Sequence, residues 1–117
     1  MRFSKTVFMI AGIYGIIVIL PGYFTEGRIS AQFPPAITHP EFYYGFYGVA
    51  LAWQVAFLVI ATDPVRFRAI IPAAVLEKLS YAGATSALFL AGRLNPLPAA
   101  FGMIDLLLGI LFVACYA

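Results

Sequence analysis

The residues most capable of chemistry in this sequence are acid/base side chains that lie inside otherwise apolar segments. They are Glu77, Lys78, Tyr81 and Asp105. A positioned carboxyl can donate or accept a proton, and a tyrosine hydroxyl can donate a hydrogen bond to a carbonyl or an epoxide. These residue types predict a catalytic group for isomerase, cyclase or hydrolase chemistry, and the sequence does not choose among the three.

Three further polar side chains lie in other apolar segments and are predicted to bind the ligand of such a site. They are Tyr14, Tyr47 and Gln54. At about 1.5 Å of rise per helical residue, the seven side chains fall between about 12 Å and a little over 20 Å from one membrane face. A charge at the centre of a bilayer costs at least about 2.5–3.5 kcal/mol, so several together predict one shared polar interior.

The same charges also have a purely structural interpretation. Glu77, Lys78 and Asp105 would then neutralise one another and set the register of the helices, without binding anything. A third interpretation makes the cluster a contact with a partner subunit. The sequence leaves all three open.

The elements that carry these side chains are predicted to be transmembrane helices. The chain of 117 residues is 63% hydrophobic and 10% charged, whereas a soluble domain carries roughly 25% charged residues. Four apolar runs approach the ~20 residues that span a bilayer, and only helices satisfy their backbone groups there. The prediction is an all-α, integral membrane four-helix transmembrane bundle forming a single domain, 1–117, with spans at about 4–22, 42–62, 69–92 and 96–116.

Composition also excludes several classes of function. The net charge of +2 comes from scattered basic residues, which argues against nucleic acid as a partner. No motif for a nucleotide, haem, flavin or iron–sulfur cluster is present, so no cofactor is predicted. His39 and Glu41 alone are too few for a metal site, and the single cysteine, Cys115, forms no disulfide framework.

The distribution of basic residues predicts that both termini are cytoplasmic. Four basic residues then lie inside and two lie outside: Arg2, Lys5, Arg66 and Arg68 against Arg28 and Arg93. The long loop 22–40 is therefore predicted to be extracytoplasmic. Its apolar residues are expected to pack on the bundle: Phe24, Ile29, Phe33, Pro34 and Pro35.

Start signals precede the predicted helices. Thr38 and Glu41 match a capping box, and Asn95 precedes a proline in a capping position. Pro72 is expected either in the first turn of its helix or at a kink.

Two segments resemble the DoxX-like group of small four-helix bacterial membrane proteins. They are the glycine-bearing stretch from Phe42 to Ala52 and the turn from Ala61 to Arg68, which contains Asp-Pro-x-Arg. The resemblance implies a four-helix bundle in a bacterial inner membrane and, in some members, membrane redox or quinone-linked chemistry. It transfers no site residue, and it does not account for the long loop or the Glu77–Lys78 pair.

Three functions follow as hypotheses. In the first, the bundle binds a hydrophobic or amphipathic small molecule and transforms it by acid/base chemistry. In the second, it is a non-catalytic subunit that docks on a larger membrane complex, or on copies of itself, through faces of small residues: Ala11/Gly15, Gly45/Gly48, Ala82/Ser86 and Gly83/Ala87. In the third, it is an oligomeric, proton-coupled carrier.

Overall fold

The computed structural model describes residues 2–32 and 37–117, and within them the chain is helical with no strand. This confirms the all-α prediction. Five α-helices follow one another: α1 (Arg2–Ile19), α2 (Glu26–Gln32), α3 (Pro40–Thr62), α4 (Ile71–Leu90) and α5 (Pro96–Tyr116). Two 3-10 segments, Leu20–Phe24 and Arg68–Ile70, extend α1 and precede α4.

Three of these helices are long and apolar enough to cross a membrane. They are α1 with its 3-10 extension (Arg2–Phe24), α3 and α5. The fourth long helix, α4, has 20 residues. Glu77, Lys78 and several hydroxyl-bearing residues lower its mean hydropathy, and it is not among the three.

The long helices pack as two antiparallel pairs, α1 with α3 and α4 with α5. Contacts between α1 and α5 join the pairs, whereas α3 and α4 approach each other at few points. An aromatic core closes the end of the bundle that carries both termini. The ring of Phe8 stacks on Phe112 at 4.3 Å between centroids, and Phe57 meets Phe112 edge-on at 5.0 Å. The opposite half of the bundle lacks an equivalent core among the described residues.

Glycines allow the two helices of each pair to approach closely. A Cβ on Gly15 would overlap the side chain of Gln54 across α1 and α3, and one on Gly102 would overlap Thr85 across α4 and α5. At Gly109 an added Cβ would lie 3.3 Å from the nearest α4 side-chain atom. α4 thus approaches α5 closely along the stripe that Gly102, Asp105 and Gly109 share. The predicted docking face Ala11/Gly15 is buried inside the bundle instead.

The predicted helix starts are only partly correct. The capping box at Thr38 is wrong, because α3 begins at Pro40 with His39 at the cap position and no side-chain cap. The carboxylate of Glu41 lies 3.5 Å from the His39 ring nitrogen instead. The cap at Asn95 is confirmed, since its side chain accepts a hydrogen bond from the Leu97 amide at 3.0 Å. Pro72 lies in the first turn of α4, where its missing N–H costs no hydrogen bond.

The segment predicted as a long loop contains α2. The Tyr44 hydroxyl donates to a Glu26 carboxylate oxygen at 2.9 Å, and the Tyr43 hydroxyl donates to the carbonyl of Gly22. These bonds attach the segment to α3. The prediction that Phe24 packs on the bundle is wrong, because its side chain is exposed. Three further residues of that prediction lie outside the described residues: Phe33, Pro34 and Pro35.

Candidate functional site

A cavity of about 1090 Å³ lies in the half of the bundle away from the aromatic core. All four long helices line it, and Ile29 of α2 contributes from the connecting segment. The cavity exists because α3 and α4 approach each other at few points, whereas α1 stays in contact with α3 and with α5, and α4 stays in contact with α5. The structure places every residue of the predicted site on its wall: Tyr14, Tyr47, Gln54, Glu77, Lys78, Tyr81 and Asp105.

The cavity opens sideways, between α3 and α4. Its wall there is formed by Phe46, Val49 and Leu76, which are also among the exposed apolar side chains of the chain. The ring of Phe46 stacks on Tyr81 of α4 at 6.0 Å between centroids and bridges the gap at one point. The opening therefore lies on the flank of the helix bundle.

An ionic cluster forms part of the cavity wall where α4 meets α5. The Lys78 Nζ atom lies 3.4 Å from Asp105 Oδ1 and 3.7 Å from Glu77 Oε2, and 5.0 Å from the centre of the Phe57 ring. Gly109 allows α5 to approach Lys78 closely, because even a Cβ added at Gly109 would lie 3.4 Å from the Lys78 Cβ atom. Lys78 is therefore in contact with both carboxylates.

The members of this cluster are unequally accessible. The Lys78 side chain is 3% exposed, whereas those of Glu77 and Asp105 are 18% and 16% exposed. The Lys78 side chain is therefore the most enclosed of the three, and the two carboxyl side chains keep more accessible surface at the cavity wall that all three residues line.

Gln54 is fully buried in the wall between α1 and α3. Its Nε2 donates to the Ala50 carbonyl at 2.8 Å, which fixes the orientation of the amide because a reversed amide would bring two oxygens together. Its Oε1 lies beside Gly15. In the described part of the chain, Gln54 Oε1 and Glu77 Oε2 are the buried side-chain atoms without a hydrogen-bond partner.

The tyrosines of the predicted site occupy different parts of the wall. Tyr14 packs against the core, and Tyr81 lies at the bridged part of the opening. Tyr47 packs tightly over Gly22 and lies 4.7 Å from the Tyr43 ring, at the end where α2 covers the bundle. The structure thus brings all seven residues to one cavity, with the three charges in mutual contact and Tyr47 at its outer end.

Sequence reasoning missed part of the lining. Trp53 was not among the predicted site residues, yet it lines the cavity as well as contacting the core. Phe101 and Ile29 also line it, and no sequence signal distinguishes such apolar residues from lipid-facing ones. Residues 2–32 and 37–117 contain no group of three or more His, Cys, Asp or Glu side chains placed to hold a metal ion.

Comparison with known proteins shows no similarity that assigns the chain to a family. No protein-family model, curated protein or solved structure matches it. The function must therefore be argued from the cavity itself.

Proposed function

We propose that this chain is a small integral membrane protein that binds a hydrophobic or amphipathic small molecule in the cavity between α3 and α4. The observation that carries the proposal is one large cavity, apolar along most of its wall, with a compact polar cluster on one side. Ligand sites are typically concave, mostly apolar and about 300–1,000 Å³, with a few polar groups that fix orientation. The volume here, about 1090 Å³, lies just above that range.

The position of the opening supports entry from the bilayer. Its rim consists of exposed apolar side chains on the flank of two helices, so a molecule dissolved in lipid would reach the cavity without crossing water. The lipid bilayer is thus the proposed source of the ligand.

The proposal takes α4 as a fourth span, with both termini cytoplasmic in a bacterial inner membrane. A helix of 20 residues is about 30 Å long, which matches the hydrocarbon core of a bilayer. Its strongly polar side chains do not oppose insertion as lipid-facing charges would, because Lys78 is buried and Glu77 is mostly covered. A four-helix bundle is also what the resemblance to the DoxX-like group implies.

A chemical step follows from the same geometry as part of the proposal. The carboxyls of Glu77 and Asp105 present oxygen atoms to the cavity, and Tyr81 adds a hydroxyl to the same wall. A carboxyl placed beside an apolar substrate can donate or accept a proton, with the tyrosine hydroxyl stabilising the developing charge. We assign proton transfer to the carboxyls and ligand positioning to Tyr14, Tyr47 and Gln54.

A matched pair of glycine substitutions tests the binding function. Gly45 lines the cavity and Gly83 does not, yet a Cβ added at either residue meets no atom within 4 Å. Gly45→Phe should fill the mouth of the cavity without disturbing helix packing, and Gly83→Phe should place the same ring outside it. The probe is a dodecyl alcohol carrying a nitroxide, and the reporter is Trp53, the only tryptophan of the chain and part of the cavity wall.

We expect saturable quenching of Trp53 fluorescence in the unmodified protein and in Gly83→Phe, and only linear, non-saturable quenching in Gly45→Phe. Identical quenching in all three proteins would reject the cavity as a binding site. A loss of quenching in Gly83→Phe alone would instead favour the exposed face of α4 as a docking surface, as in a non-catalytic subunit.

A further inference from the structure

The charges on the cavity wall are unbalanced. Two carboxylates, Glu77 and Asp105, share the single ammonium of Lys78. Among the described residues that line the cavity, Lys78 is the only basic side chain. When all three groups are ionised, the cluster carries one negative charge with no counterpart in the protein. A charge in such a low-dielectric setting calls for a partner of opposite sign.

The accessible surface of the cluster has the same sign. The ammonium group is enclosed, whereas both carboxyl side chains keep part of their surface toward the cavity. A carboxylate-ended or phosphate-ended ligand would meet these oxygens before it could reach Lys78. A ligand whose polar end is a cation would meet two favourable partners.

The hydrogen-bonding groups of the wall also favour a ligand with a cationic polar end. Gln54 Oε1 and Glu77 Oε2 are buried acceptors that receive no hydrogen bond from the described residues, with Lys78 Nζ 3.7 Å from the Glu77 oxygen, and one amide hydrogen of Gln54 is used in the bond to Ala50. Buried polar atoms are normally paired, so the unmatched groups are acceptors that a donor-bearing ligand would complement.

Aromatic rings also line the cavity, and the faces of such rings attract cations. The aromatic residues of the wall are Tyr14, Phe46, Tyr47, Trp53, Tyr81 and Phe101. Phe57 already receives the Lys78 ammonium at 5.0 Å, which shows that a cation is accommodated against an aromatic face in this bundle.

We infer that the ligand is an amphipathic amine: its protonated nitrogen pairs with the carboxylates of Glu77 and Asp105, and its hydrocarbon lies along the apolar wall toward the opening. This inference rests on the proposed function, because it names the class of molecule that the cavity binds. An N–H donor on the same nitrogen would also supply hydrogen bonds that the carboxylates lack.

Three nitroxide-labelled dodecyl probes that differ only at the polar end test the inference: a primary amine, an alcohol and a carboxylate. The full chain is placed in bilayer discs of zwitterionic phosphatidylcholine, so that the lipid surface does not favour one charge, and Trp53 quenching is measured at neutral pH. We expect the amine to half-saturate at about a tenfold lower concentration than the alcohol, the change that corresponds to about 1.4 kcal/mol. The carboxylate should give no saturable quenching.

Substitutions separate the charge effect from general damage. Glu77→Gln and Asp105→Asn should each reduce the preference for the amine over the alcohol. Glu41→Gln removes an exposed carboxylate outside the cavity and should leave the preference intact.

The outcomes separate the inference from the proposed function. Equal affinity for amine and alcohol, or stronger binding of the carboxylate, would overturn the amine assignment and leave the cavity as a binding site. A preference for the amine that persists in Glu77→Gln and Asp105→Asn would overturn it too. Absence of saturable quenching by all three probes would reject the proposed function itself.

Discussion

Removal of Lys78 should be far more damaging than removal of either carboxylate. Its Nζ lies 3.4 Å from Asp105 Oδ1 and 3.7 Å from Glu77 Oε2, and at an effective dielectric of roughly 20 each contact represents about 4–5 kcal/mol of attraction. Desolvation offsets most of this attraction. Lys78→Met leaves two carboxylates facing each other without a cation, and loss of one member of a buried charged group costs roughly 3–5 kcal/mol.

Asp105→Asn, by contrast, removes the surplus negative charge and leaves Lys78 paired with Glu77. The asparagine oxygen can still accept a hydrogen bond from Nζ, so the expected loss is about 1 kcal/mol or less. The assay is reversible unfolding in mixed micelles by titration with a denaturing detergent, followed by helical circular dichroism. Equal losses from Lys78→Met and Asp105→Asn would refute the three-charge description, because a simple Lys78–Asp105 pair would make the two changes equivalent.

The same cluster separates a functional site from a structural one. A triple variant (Glu77→Leu, Lys78→Met and Asp105→Leu) has no charge left, and replacement of buried ionic groups by hydrophobic residues of similar volume is often neutral or stabilising. We expect it to fold with nearly the stability of the original chain but to lose the preference for the amine probe. A folded triple variant that keeps this preference would show that the charges serve only to hold the helices in register.

Two further predictions concern packing and topology. Gly109→Leu should destabilise the bundle by about 1–3 kcal/mol, because even the Cβ of the new side chain meets α4 atoms at 3.3 Å. Leu107→Ala on the exposed face of α5 should cost little, since lipid replaces the lost contacts. Equal losses of stability in detergent unfolding would contradict the packing of α5. In a Cys115→Ala background, an impermeant maleimide on intact cells should label a cysteine at Ser30 and not one at Ser4, and the reverse pattern would invert the proposed orientation.

Much of the architecture could be predicted from the sequence because a membrane restricts the choices. Backbone groups in hydrocarbon require helices, so long apolar runs are sufficient to predict the all-α fold. The constant rise per residue then converts position in the sequence into depth, which is why Tyr14, Gln54 and the charged residues could be expected at similar levels.

The tertiary structure alone decided how those helices pair. Lipid is as apolar as the side chains, so hydrophobic pattern does not tell which helix face is internal. The pairing of α1 with α3 and of α4 with α5 leaves α3 and α4 apart, and this separation creates the cavity. It also enclosed Lys78 between two carboxylates, an arrangement that depends on distances between helices rather than on spacing along any one of them.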